Sequence, residues 1–281
     1  MSSNIAIVKD SSLFKSQPDP RMFGNSRNPT PGSEEAQNWN NENWLKSRFH
    51  FSFAEYRHGR PNFGPLRVAN DDLVQPKRGF GTHPHANMEI VTYIVDGNLT
   101  HQDSMGTAET LTNGDVQFMT AGTGVRHSEH NLGDKPLRFI QMWFNPRQFN
   151  LKPNYGSFKG DAARRHNQWH HILTDVAHEA KEDSPPKDPV AKALAAVPIK
   201  INQDVNIFVT SLDKKKSLPF KVQPGRQAYV LCLDGDNVSL AEDVAFSKHD
   251  AATVTGGTEL VVQSSEDSGA YILLVEVAQK K

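Results

Sequence analysis

Two short stretches constrain this chain more than any other feature: Thr82-His83-Pro84-His85 and Arg126-His127-Ser128-Glu129. Each places two potential metal ligands two positions apart. On a β-strand, residues i and i+2 point to the same face, roughly 6.5–7 Å apart along the strand. Both stretches sit among β-formers, with Glu89-Ile90-Val91-Thr92-Tyr93-Ile94-Val95 after the first and Asp115-Val116-Gln117-Phe118-Met119 before the second. A His-x-His strand facing a His-x-Glu strand can aim three imidazoles and one carboxylate at a single point. The pattern reads as a mononuclear metal site inside a β-barrel.

The remaining sequence agrees with an all-β fold. Phe49-His50-Phe51-Ser52-Phe53 alternates as a half-buried strand does. Gly64-Pro65-Leu66-Arg67-Val68-Ala69-Asn70-Asp71-Asp72 reads as a short strand running into a turn. Asp96-Gly97 is a hairpin signal, Asn113-Gly114-Asp115 is a further turn, and residues 137–144 form a long apolar strand. Short strands punctuated by glycine turns indicate a sandwich or barrel rather than βαβ units. Residues 145–168 look like a long crossover. Ala177 to Ala196 has helical composition but is cut by Pro185-Pro186 and Pro189, which predicts an inter-domain linker with a short helix after it. A second β-rich block runs from Val205 to Val277. Its Asp234-Gly235-Asp236 echoes Asp96-Gly97-Asn98, each joining a longer apolar strand to a short one. The expectation is a duplicated fold: a flexible N-terminal arm at 1–43, rich in Ser, Asn and Pro, a metal-binding domain at 44–168, and a second domain at 169–281 without metal ligands.

Composition narrows the function classes. Lys and Arg number 31 against 32 Asp and Glu, so bulk charge predicts neither direct nucleic-acid binding nor membrane attachment. Cys232 is the single cysteine, which rules out an intramolecular disulfide and a thiolate metal cage. No segment approaches the roughly 20 apolar residues of a membrane span, and the apolar patch near the start is too short for a secretory signal. A cytoplasmic location is expected, with the nucleus open to a protein of this size.

Gly79-Phe80-Gly81-Thr82-His83-Pro84-His85, Met88-Glu89-Ile90-Val91-Thr92-Tyr93, His101-Gln102-Asp103-Ser104 and Met119-Thr120-Ala121-Gly122-Thr123-Gly124-Val125-Arg126-His127-Ser128-Glu129 closely resemble the pirin family. The resemblance runs from about Trp44 into the C-terminal block, where Lys200-Ile201-Asn202-Gln203-Asp204-Val205 is also pirin-like; the N-terminal arm lies outside it. Pirins are bicupins, two tandem cupin (jelly-roll) β-barrels in one chain, and the resemblance implies that fold with short helices in its linkers. It also implies one divalent metal ion, usually iron, held in the N-terminal barrel by His83, His85, His127 and Glu129. The wider cupin pattern is kept loosely, with Thr120 where proline is usual. Two roles are associated with the family: cleavage of flavonols such as quercetin by dioxygen, and a non-enzymatic part as a nuclear cofactor of transcription factors. A monomer is expected, since bicupins pair their barrels within one chain.

The residues themselves leave choices open. Imidazoles with a carboxylate suit Fe(II), Mn, Ni, Cu or Zn, and four protein ligands on an octahedral ion leave two positions for substrate and dioxygen. By strand parity Glu89 shares a face with His83 and His85, so it rivals Glu129 as the carboxylate; in pirins the Glu of the second pair serves. His101 and Asp103 can approach the site from one side, with Asp103 orienting an imidazole or both forming an exposed hairpin pair. Arg126 suits an external ion pair. Trp169-His170-His171 lies in the connection to the second block, Cys232 reads as a small buried apolar residue, and Lys214-Lys215-Lys216 as a solvated turn. In the enzymatic reading a flavonol enters a mouth lined by Phe80, Phe118 and Met119, Glu129 acts as the catalytic base toward the enolic hydroxyl, and dioxygen opens the ring. In the alternative the iron is redox-sensing and its state changes a surface that docks a protein partner.

Overall fold

A computed structural model of the chain describes residues 4–180, 185–186, 188–242 and 244–279. Its strands up to residue 160 are β1 (Ile5–Val8), β2 (Phe14–Ser16), β3 (Leu45–Phe49), β4 (Leu66–Val74), β5 (Arg78–His85), β6 (Glu89–Asp96), β7 (Leu99–Asp103), β8 (Ala108–Leu111), β9 (Val116–Thr120), β10 (Val125–Asn131), β11 (Leu137–Phe144) and β12 (Asn154–Phe158). After it come β13 (His170–Asp175), β14 (Ile199–Ile201), β15 (Val205–Leu212), β16 (Ser217–Lys221), β17 (Arg226–Asp234), β18 (Val238–Ala241), β19 (Val244–Phe246), β20 (Ala251–Thr255), β21 (Glu259–Gln263) and β22 (Ala270–Ala278). Two short helices, α1 (Ala162–Arg165) and α2 (Pro189–Ala195), occur among the described residues. Proline stands at the first turn of α2 and the Asp188 side chain caps it, as expected where proline cannot continue a helix but can begin one. Residues 181–184 and 187 of the predicted linker lie outside the described residues.

Two compact units emerge: residues 14–62 with 66–160, and residues 4–13 and 63–65 with the described residues from 161 onward. Each is a pair of antiparallel sheets. The first unit has a seven-stranded sheet in the order β12-β9-β6-β11-β4-β3-β2 and a four-stranded sheet β5-β10-β7-β8. The second repeats the layout with β1-β20-β17-β22-β15-β13-β14 and β16-β21-β18-β19. Among the described strand pairs, β13–β14 alone is parallel. The duplication read from the two Asp-Gly turns is therefore a repeat of strand order, with β1, from the start of the chain, taking the edge position that β12 holds in the first unit.

Register makes the repeat specific. In the first unit Pro84 on β5 lies opposite Arg126 on β10, and His83 opposite His127. In the second, Pro219 on β16 lies opposite Val261 on β21, and Leu218 opposite Val262. The positions equivalent to His83, His85 and His127 are thus Leu218, Phe220 and Val262. Val262 and Leu260 join a continuous apolar core with Val230, Ile272 and Leu274, and Leu218 and Phe220 pack against it. One barrel fills its interior with hydrocarbon where the other brings polar side chains together.

Two expectations need correction. Residues 14–43 form elements with fixed partners rather than a loose arm: β2 extends the seven-stranded sheet by pairing with β3, Trp44 Nε1 donates to Pro18 O at 2.9 Å, and Phe23 packs edge-on to Phe80 at 5.5 Å between centroids. Its composition is polar, but a few aromatic anchors suffice to dock it. Asn70-Asp71-Asp72 is not a turn; β4 runs through it to Val74. Alternation sends Asp71 to one face and Asn70 and Asp72 to the other, and Arg138 on β11 satisfies Asp71 with a forked pair, Nε to Oδ1 and a terminal nitrogen to Oδ2, both 2.8 Å. Both side chains are nearly excluded from solvent. Replacing Arg138 with Met would leave a buried carboxylate without its cation. We expect a loss of about 3–5 kcal/mol in the unfolding free energy of the first unit, read by urea denaturation.

Candidate metal centre

The three histidines meet because of how β5 and β10 pair. His83 and His127 are direct cross-strand neighbours, and the register slips between His127 and Glu129, which lies opposite Phe80 rather than Gly81. This bulge turns Phe80 to the same interior as His83. Gly79 permits the close approach of the two strands, since a Cβ there would collide with the Glu129 carbonyl. The rings of His83 and His127 stand 4.5 Å apart by centroid, His83 and His85 4.8 Å, and His85 and His127 4.9 Å. One ring nitrogen from each lies within 4.8 Å of the others. Donors about 2.1 Å from one ion stand at most about 4.2 Å apart, so a small closure suffices.

Glu129 enters the same interior from β10, and two side-chain amides of the opposite sheet hold its carboxylate, with a threonine hydroxyl on the strand between them. Gln117 Nε2 on β9 donates to Oε1 at 2.8 Å and Gln141 Nε2 on β11 donates to Oε2 at 2.9 Å, while the Thr92 hydroxyl on β6 donates to Gln141 Oε1 at 2.7 Å and lies 3.3 Å from Glu129 Oε1. The Tyr155 hydroxyl stands 2.9 Å from Glu109 Oε2 and 3.0 Å from Gln117 Oε1, its one proton shared between the two acceptors; burial, then the bond to Glu109, pushes the Tyr155 phenol above its ordinary range. His101 lies opposite Glu129, and Asp103 opposite His127, on β7. His101 is buried, bonds Asp103 through Nε2 at 3.0 Å and stacks on Tyr155 at 4.5 Å. With His127 and Glu129 it forms a second convergent set.

This donor set fits a divalent cation. The His83 Nδ1 sits 2.8 Å from the Gly81 carbonyl, which places its proton on Nδ1 and leaves Nε2 as a ligand atom. Burial, reinforced by the other imidazoles, pushes His85 and His127 down to about 3, so both are neutral ligands at physiological pH. Both ring nitrogens of His127 are buried without a hydrogen-bond partner, an expensive arrangement for imidazole unless something else bonds them.

The structure brings His83, His85, His127 and Glu129 to one interior and turns Glu89 away. Residues 86–88 break the strand, so parity does not carry from His85 to Glu89. On β6, Glu89 shares a face with Val91 and Tyr93, opposite to Thr92, and accepts a 2.8 Å bond from Thr120. Asp103 orients His101, and that pair is buried rather than exposed. Arg126 is exposed. His171 bonds Asn206 and stacks on Phe208 in the second unit, Cys232 is buried, and Lys214-Lys215-Lys216 is an exposed turn. Sequence reasoning missed Thr92, Gln117 and Gln141. Their signal was one polar residue in the middle of each of three apolar strands.

Beside the four residues lies a cavity of about 550 Å³. Its apolar walls include Phe23, Phe49, Phe53, Phe80 and Trp143, and His83, His85 and Glu129 reach its surface. Phe80 lines it as expected. Phe118 and Met119 do not: Met119 packs with Ile90 and Val125 in a small separate core.

Residues 32–144 match the pirin family model, and residues 191–277 match that of the quercetinase C-terminal cupin domain. A putative quercetin 2,3-dioxygenase of Pseudomonas aeruginosa is 36% identical over 85% of this chain and 94% of its own length. The chain belongs to the pirin family. Among other pirin relatives, the quercetin 2,3-dioxygenase of Escherichia coli is 32% identical over 84% of this chain and 93% of its own. The crystal structure of YhhW from Escherichia coli matches at 28% identity with a TM-score of 0.75, covering 98% of each chain. The bacterial pirin YhhW has also been solved in complex with nickel(II), and that structure matches with a TM-score of 0.74 at 27% identity. The two units are accordingly the two cupin barrels of a pirin, with a candidate site for a divalent metal ion in the first. Because Gln141 and Gln117 fix the carboxylate, we expect Gln141→Leu or Gln117→Leu to weaken Ni(II) binding about 10- to 100-fold, measured by isothermal titration.

Proposed function

We propose that this pirin is a dioxygenase, with iron as its metal, that opens the heterocycle of quercetin or a related flavonol. In this reading His83, His85, His127 and Glu129 hold the ion, and Glu129 also serves as catalytic base. The observation that carries it is the cluster of three imidazoles beside an aromatic-walled cavity of about 550 Å³ that the Glu129 carboxylate also lines, room for a small molecule of this class. A bound divalent ion would lower the pKa of a coordinated hydroxyl and offer open positions to substrate and dioxygen.

The protein's own contributions follow from the geometry. Phe49, Phe53, Phe80 and Trp143 present apolar faces and edges to a planar aromatic substrate and exclude water from the reacting edge. The Glu129 carboxylate, held by Gln117, Gln141 and Thr92, takes the enolic proton without swinging out of place. The quercetin 2,3-dioxygenase names of the bacterial relatives point the same way.

The test is oxygen uptake by the Fe(II)-loaded protein with quercetin. We expect uptake with loss of the flavonol absorbance, falling at least 100-fold in Glu129→Ala and in His83→Ala, on the scale of losing a general base. Unchanged turnover in either variant contradicts the mechanism. No uptake by a protein holding one iron per chain contradicts the enzymatic reading and turns attention to a redox-sensing role toward a protein partner.

A further inference from the structure

The cavity beside the candidate metal centre has a second polar patch. Ser47 on β3 and Asp72 on β4 are direct cross-strand neighbours, Asn70 lies two residues before Asp72 on the same face, and all three line the cavity. They come from the seven-stranded sheet, whereas His83, His85 and Glu129 come from the four-stranded one. All three are more than nine-tenths buried, with 2%, 5% and 4% of their surface exposed for Ser47, Asn70 and Asp72. Asn70 Oδ1 has no hydrogen-bond partner within geometric limits, and Ser47 Oγ and Asp72 Oδ1 have none beyond the loose contact between Ser47 and Asp72 themselves. Asp71, between two of them, has its forked arginine on the other face. Buried polar atoms in folded proteins are almost always bonded, so under-satisfied polar atoms grouped on one cavity wall call for a specific reason.

We infer that Ser47, Asn70 and Asp72 form a hydrogen-bonding subsite for ring hydroxyls of the substrate, so that the site selects polyhydroxylated aromatics over analogues whose only hydroxyl is the one used at the metal centre. This rests on the dioxygenase reading and deepens it. Asn70 Oδ1 and Asp72 Oδ1 are acceptors; the complementary group is a donor, and a phenolic hydroxyl is the donor an aromatic substrate carries. Asn70 and Asp72 are roughly 6.5–7 Å apart along the strand, a span that suits two hydroxyls on one aromatic framework. Burial pushes the Asp72 carboxyl up to about 7, with the nearby Ser47 hydroxyl opposing and the charges of Asp71 and Glu129 adding to the rise. An Asp72 that is partly neutral near physiological pH can donate as well as accept, which suits a hydroxyl. These residues act by positioning; they do not touch the reacting atoms.

The test compares two probes on the Ni(II)-loaded protein without oxygen: quercetin and 3-hydroxyflavone, which keeps the enolic hydroxyl and lacks the ring hydroxyls. Dissociation constants are read from tryptophan fluorescence. The inference predicts at least tenfold tighter binding of quercetin by the wild type, a comparison that needs no variant to fold. In Asp72→Asn and Asn70→Ala the ratio should fall toward one, while Ni(II) binding stays at one per chain. Equal affinities in the wild type, or a preference kept in both variants, overturn the subsite and leave the dioxygenase reading standing, since both flavonols still bind. Failure of both probes to bind overturns the two together.

Discussion

The site depends on the Glu129 carboxylate, held in the interior of the first barrel by Thr92, Gln117 and Gln141. These donors stand on three adjacent strands of one sheet while Glu129 stands on the other, so the bonds fix the two sheets relative to each other at that level. All three are neutral. Beside the carboxylate lie His85 and His127, which burial holds in the neutral form. A divalent cation would offset the carboxylate charge and bond one of the two His127 ring nitrogens, neither of which has a protein partner.

The second barrel shows what the same strand order does without that demand. At the positions of His83, His85 and His127 it carries Leu218, Phe220 and Val262, and its interior closes as a hydrophobic core. Pro219 repeats the place of Pro84, so strand geometry is retained while ligand chemistry is not. The seven-stranded and four-stranded sheets therefore make up the scaffold, and function resides in a few side chains placed on one copy of it. In that copy the residues up to Asn43 matter as well: Phe23 packs edge-on against Phe80 and reaches the cavity wall, so a segment of low apolar content helps shape the cavity.

Much of this was legible in the sequence. The i, i+2 spacing of His83 with His85 and of His127 with Glu129 pointed to strands that share one interior, and the paired Asp-Gly turns signalled the repeat. Glu89 was ambiguous because parity counts hold only within an unbroken strand, and residues 86–88 interrupt it. Phe118 and Met119 were misplaced for a related reason: composition shows that residues are apolar but not which interior they face. The largest misreading, Asn70-Asp71-Asp72 as a turn, came from polar residues that usually mark turns. Here one is paired with a buried arginine and two face the cavity. Polar residues inside apolar strands, as with Thr92, Gln117 and Gln141, marked the site more reliably than the apolar residues around them.

The most direct test is a crystal structure of the protein loaded with Fe(II) or Ni(II), read by anomalous scattering at the metal edge. The account predicts one ion per chain in the first barrel, with His83, His85, His127 and Glu129 as its protein ligands and Glu89 remaining on Thr120. An ion held instead by His101, His127 and Glu129, a second ion in the C-terminal barrel, or no anomalous peak at all would contradict it.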